Sequence, residues 1–112
     1  MSVSLIISNP ITENEDCYYV PIATEEVFQI FWMPIIEKLE LKWACYFQCG
    51  VEINKASLKF VLKELAEIND YVFKNMDNIE RKIQMLGRIQ NLCHELEYIY
   101  KNSREDIKVY IG

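Results

Sequence analysis

His94 is the one histidine of the chain, and it stands beside Cys93, the combination that a thiol nucleophile and its base would use. Both fall in a stretch of helical periodicity, where adjacent side chains diverge by about 100 degrees. The two do not share a site on that geometry, so Cys93 is read as core and His94 as turned aside. Two carboxylate pairs, Glu13/Glu15 and Glu25/Glu26, have the residue types for acid-base work. That work needs a semi-buried carboxyl with a shifted pKa, and these pairs fall in a polar loop and in the first turn of a helix. Solvated surface is the expectation for both. Cys45 and Cys49 lie on one face of a predicted strand, roughly 13 Å apart at 3.3 Å per residue, too far for a disulfide or a shared zinc. The chain has no Gly-rich phosphate loop and no G-x-S-x-G, H-E-x-x-H or C-x-x-C motif. No catalytic residue, metal site or cofactor is expected, and the chain reads as a non-enzyme.

Charge carries more information. The net charge is -5, yet residues 1 to 37 contain Glu13, Glu15, Asp16, Glu25, Glu26 and Glu37 with no Lys or Arg. All 12 basic side chains follow, so the acidity belongs to the first third of the chain. A concentrated negative field steers a cationic partner, which makes Glu13, Glu15, Asp16, Glu25 and Glu26 candidate partner-binding residues. Tyr18 and Tyr46 are candidate anchors, because tyrosine is favoured at protein contacts. One short strand separates the acidic loop from the acidic helix start, so the carboxylates are expected to converge on one edge. A basic footprint for nucleic acid is absent.

The elements that must position these residues follow from periodicity. Leu41, Trp43, Cys45, Phe47, Cys49, Val51 and Ile53 occupy every second position, which predicts a central strand with one dry face over 41 to 53. Val3, Leu5 and Ile7 predict a first strand inside the sheet, and Cys17 to Val20 a second in which Pro21 is tolerated at an edge or strand end. Thr24 caps a helix to Glu40, with a kink expected near Ile30 to Met33 because Pro34 removes a backbone bond. A second helix, capped by Asn54 or Ser57, buries Leu58, Val61, Leu62, Leu65, Ile68 and Val72. A third buries Ile79, Ile83, Leu86, Ile89, Leu92, Cys93, Leu96 and Tyr100, with Gly87 read as permitting a close helix contact. Ile107, Val109 and Ile111 close the chain as a strand. The order β-β-α-β-α-α-β predicts a single α+β domain over 1–112. It is a two-layer sandwich of a four-stranded mixed or antiparallel sheet with three helices on one face. Phe31, Trp43 and Phe47 are assigned to its core. The start MSVSLIIS lacks a basic n-region and no apolar run approaches the roughly 20 residues of a span, so a cytoplasmic protein with reduced cysteines and no membrane partner is expected.

In size, acidity, helix-rich α+β plan and short closing strand, here DIKVYIG, the chain resembles the small cytoplasmic immunity proteins of bacterial toxin-immunity systems, including contact-dependent inhibition and polymorphic toxin systems. No diagnostic motif is shared, so no residue is carried over. The resemblance implies a stoichiometric inhibitor that binds a cognate toxin, often a nuclease, and covers its active site or a neighbouring surface. An acidic surface suits a basic substrate groove. Two other readings stay open: a homodimeric structural or regulatory subunit using the open sheet face with Tyr46 and Tyr110, and a small-ligand domain binding between sheet and helices. A monomer or weak homodimer is expected.

Overall fold

The computed structural model describes residues 2–112. Strand β1 (Ser2–Ile7) leads through the short helix α1 (Glu13–Asp16) to β2 (Tyr19–Thr24). A continuous helical stretch follows as α2 (Glu25–Val27), a π turn (Phe28–Trp32) and α3 (Met33–Lys38). A 3₁₀ turn (Ala44–Tyr46) precedes β3 (Val51–Ile53), then α4 (Lys55–Asn75), α5 (Ile79–Asn102) and β4 (Val109–Ile111). The four strands form one antiparallel sheet in the order β2-β1-β4-β3. The α+β architecture is as the periodicity predicts, with α1 added in the acidic loop.

The sheet buries one face. Val3, Leu5, Ile7, Val20, Ile22, Ile53, Val109 and Ile111 meet the helices in one core, whereas Ile6, Tyr19 and Glu52 on the other face are exposed. Because β4 lies between β1 and β3, the two ends of the chain are hydrogen-bonded to each other, with Leu5 opposite Ile111 and Ile7 opposite Val109. Strand β2 is an edge, where Pro21 costs no ladder bond. Tyr110 lies across the bare backbone of Gly50, and a Cβ on Gly50 would fall 1.8 Å from its hydroxyl.

The largest departure from expectation is the central strand, of which only Val51–Ile53 is extended. Leu41, Ala44 and Phe47 are buried, a spacing of three that belongs to a 3₁₀ turn. The cause lies on α4. The Glu64 carboxylate, 9% exposed, accepts from the backbone N–H groups of Lys42 at 3.1 Å, Trp43 at 3.0 Å and Ala44 at 2.8 Å. In a strand successive N–H groups point to opposite sides, so three in a row reach one carboxylate only if the chain turns. Cys45 and Cys49 thus stand in a turn, with the Cys45 thiol donating to Lys42 O at 3.2 Å.

The helices follow their caps. Asn54 and Ser57 act together, each side chain accepting from the other's backbone N–H at 2.9 Å. The expected kink before Pro34 is instead a π turn, in which the Met33 N–H reaches Phe28 O; the wider register absorbs the hydrogen bond that Pro34 cannot make. On α5 the buried stripe is Met85, Ile89, Leu92, Leu96, Ile99 and Tyr100, while Ile79 and Ile83 are 70% and 66% exposed, against expectation. Phe31 and Trp43 are half-buried against the core, and Phe47 is fully within it. Gly87 is exposed, and nothing lies within 4 Å of the position a Cβ would take, so it serves no close contact.

Two substitutions test this packing. Gly87→Ala should stabilise the chain by about 0.5–1 kcal/mol in urea unfolding, the usual helix-interior gain; a loss would mean that Gly87 meets a neighbour. Glu64→Ala strands three N–H groups and should cost about 2–3 kcal/mol, with Glu64→Gln in between; an unchanged midpoint for both would remove Glu64 as the cause of the turn.

Candidate functional site

The acidic segment is built around an arginine from the far end of the chain. Thr12 caps α1, its hydroxyl accepting from the Glu15 N–H at 3.1 Å, while the Glu15 carboxylate accepts from the Ile11 N–H at 3.3 Å. Arg104 Nη2 stands 2.9 Å from Glu15 Oε1, and its Nη1 stands 2.9 Å from Asp106 Oδ1. The same guanidinium donates to Asn9 O. Asn9 clamps the last strand in turn, donating through Nδ2 to Asp106 O at 2.8 Å and accepting from the Lys108 N–H at 2.8 Å. This junction holds α1 to the 104–108 segment.

One end of the molecule therefore carries Glu13, Glu15, Asp16, Glu105 and Asp106 around Arg104 and Lys108, an excess of three negative charges. The Arg104 guanidinium, hydrogen-bonded to Glu15 and ion-paired with Asp106, holds both carboxyls below their ordinary values of 4.5 and 3.8. Glu13, Asp16 and Glu105 are exposed. Ile11, whose N–H is bound by Glu15, is 71% exposed. Glu105 and Asp106 were outside the sequence-based candidates because they lie some 90 residues from α1, and only the β1–β4 pairing brings them there.

Glu25 and Glu26 do not join this group. They begin α2 after Thr24, whose partner across the ladder is Ser2, whereas α1 follows the Ile7 end of β1. The six residues of β2 set the two acidic groups about 20 Å apart, so the carboxylates do not converge on one edge. Glu25 and Glu26 line a shallow depression with Gln29 and Gln48. Tyr46, 55% exposed, sits in the 3₁₀ turn just before Gln48 and not on a sheet face. Tyr18 precedes β2 and is half-buried, its hydroxyl donating to Glu95 of α5. Burial, then that carboxylate, drive the Tyr18 pKa upward.

The remaining reactive groups are quiet. Burial, with Glu97 nearby, pushes the Cys93 thiol up to about 11, so it stays protonated at neutral pH. His94 is exposed. Among the described residues no group of three His, Cys, Asp or Glu is arranged to hold a metal ion, and no helix is long and apolar enough to cross a membrane.

The Arg104 junction makes a pH prediction. Carboxyls with lowered folded pKa contribute stability above their ordinary values and lose it as pH falls through the lowered ones. The stability gap between the wild type and Arg104→Met should be widest near neutral pH and shrink below about pH 4; urea midpoints across that range would show it, and a gap constant with pH would count against the ion pairs.

Comparison with known proteins finds no matching family model, no matching curated protein and no matching solved structure.

Proposed function

We propose that this chain is a non-enzymatic protein-binding domain that acts as an immunity protein, holding a cognate bacterial toxin through its acidic end. The observation that supports this reading is the junction in which Arg104 binds Glu15 of α1 and Asp106, with Glu13, Asp16 and Glu105 exposed on the two joined segments and Ile11, whose N–H is held by Glu15, 71% exposed. Charged groups of one sign raise the encounter rate with a cationic partner, and an exposed apolar side chain within them supplies an anchor that can be desolvated. Arg104 orders Glu15 and Asp106 before any partner arrives, which lowers the entropy lost on binding. A nuclease, whose substrate groove must be basic, is a partner of the right chemistry.

The homodimer reading has less support. Its surface would be the open sheet face with Ile6, Tyr19 and Tyr110. Four strands of three to six residues span roughly 200–400 Å² at ordinary strand spacing, against about 800 Å² per partner in a stable interface.

The test is co-expression with the product of the neighbouring reading frame, which this reading requires to be a toxin. Growth should be restored and a 1:1 complex recovered. The triple change Glu13→Lys, Asp16→Lys and Glu105→Lys should slow association by about tenfold or more at low salt, while Glu25→Lys with Glu26→Lys should not. Failure to rescue removes the immunity reading; equal slowing by both sets removes the assignment to the α1 end.

A further inference from the structure

A recess on the β2 flank of the molecule is lined by none of the acidic residues of the α1 end and depends on nothing proposed for it. It is bounded by the edge strand β2, the start of the π-turn helix and the middle of α5. The floor is core: Ile22, Trp32 and Met85 are each 1% exposed. Trp32 reaches that floor as the last residue of the π turn, the widened stretch that Pro34 imposes. The rim carries Tyr19, Thr24 and Gln84, and among the described residues the one charged side chain of the lining is Arg88.

Arg88 is the unusual member. It is half-buried, and its one hydrogen bond among the described residues runs from Nη1 to Pro21 O at 3.2 Å. No carboxylate among the described residues stands within ion-pair distance of it. A guanidinium offers five N–H donors in a planar fork, so four of them and the full charge remain for another group. A carboxylate matches that fork with two parallel bonds. The acidic residues nearest to Arg88 along α5 are Glu80 and Glu95; neither lines this recess, Glu95 being bonded to the Tyr18 hydroxyl, and Glu25 and Glu26 line the neighbouring depression.

We propose that the recess binds a small amphipathic carboxylate, with its head on the Arg88 guanidinium and a short apolar tail over Trp32 and Met85. The tail is required: the chain carries a net charge of -5, which opposes a bare anion, so apolar burial must supply part of the affinity. The space is about 190 Å³, under the roughly 300–1,000 Å³ of sites for drug-sized ligands. It therefore admits a short-chain acid and excludes a long one.

Titration of the isotopically labelled protein with hexanoate, followed by amide NMR, tests this. Shifts should saturate and be confined to residues of Tyr19–Thr24, Trp32 and Gln84–Arg88, and hexylammonium should bind at least tenfold more weakly. Arg88→Met, checked for an unchanged amide pattern elsewhere, should weaken hexanoate at least tenfold. Equal binding of hexylammonium, shifts spread over the surface, or full affinity in Arg88→Met would each overturn the proposal. Should Arg88→Met fail to fold, the wild-type comparison of acid with amine decides alone.

Discussion

A carboxylate taken almost out of water has to be met by donors, and Glu64 is met by three consecutive backbone N–H groups of residues 42 to 44. That requirement shapes the middle of the molecule. It turns the segment after α3 onto the side of α4, drives Leu41, Ala44 and Phe47 into the core, and leaves only three residues to pair as β3. The chain arrives at this turn through a helix end of its own. Glu40 adopts a left-handed backbone with φ 53°, and the Leu41 N–H returns to Ile36 O at 3.0 Å, closing α3 in the pattern usually given to glycine. Glu64 therefore joins the helical layer to the last edge of the sheet.

The opposite edge and the two chain ends are settled by other means. Strand β4 enters between β1 and β3, so the sheet is complete only when residues 109 to 111 have returned to the start. Asn9 and Arg104 extend that closure beyond the last ladder bond. At the β2 edge, Pro21 lacks an N–H and its carbonyl is taken by Arg88, which leaves little for another strand to pair with. Tyr100 of α5 donates to Ile53 O from within the core, so the same helix touches both flanks of the sheet.

The acidic character of the first third of the chain takes a different form in three dimensions. Antiparallel pairing carries the chain the full length of β2 between Asp16 and Glu25, which divides the carboxylates between opposite ends. One end is then enriched by Glu105 and Asp106 from the C-terminal segment and partly neutralised by Arg104. Surface charge in this protein is set by topology as much as by composition.

Much of the fold is legible in the residues alone. The period of Val3, Leu5 and Ile7, the caps at Thr24 and Asn54, the apolar stripe from Val61 to Val72 and the closing Val109–Ile111 strand each depend on near neighbours in the chain, where local geometry dominates. Alternation over 41 to 53 misleads because the same residues also contain a spacing of three, and the choice between them is made by Glu64 from about 20 positions away. Ile79, Ile83 and Gly87 lie on a helix the pattern predicts correctly, yet all three are exposed, because which turns of a helix are covered is set by its neighbours and not by its own periodicity. The sequence by itself determined most of the elements and the antiparallel-compatible α+β plan, since those follow from local periodicity and capping. Only the tertiary structure decided the turn at 42 to 47, the division of the acidic groups and the isolation of Arg88, because each rests on a contact between residues that no local pattern connects.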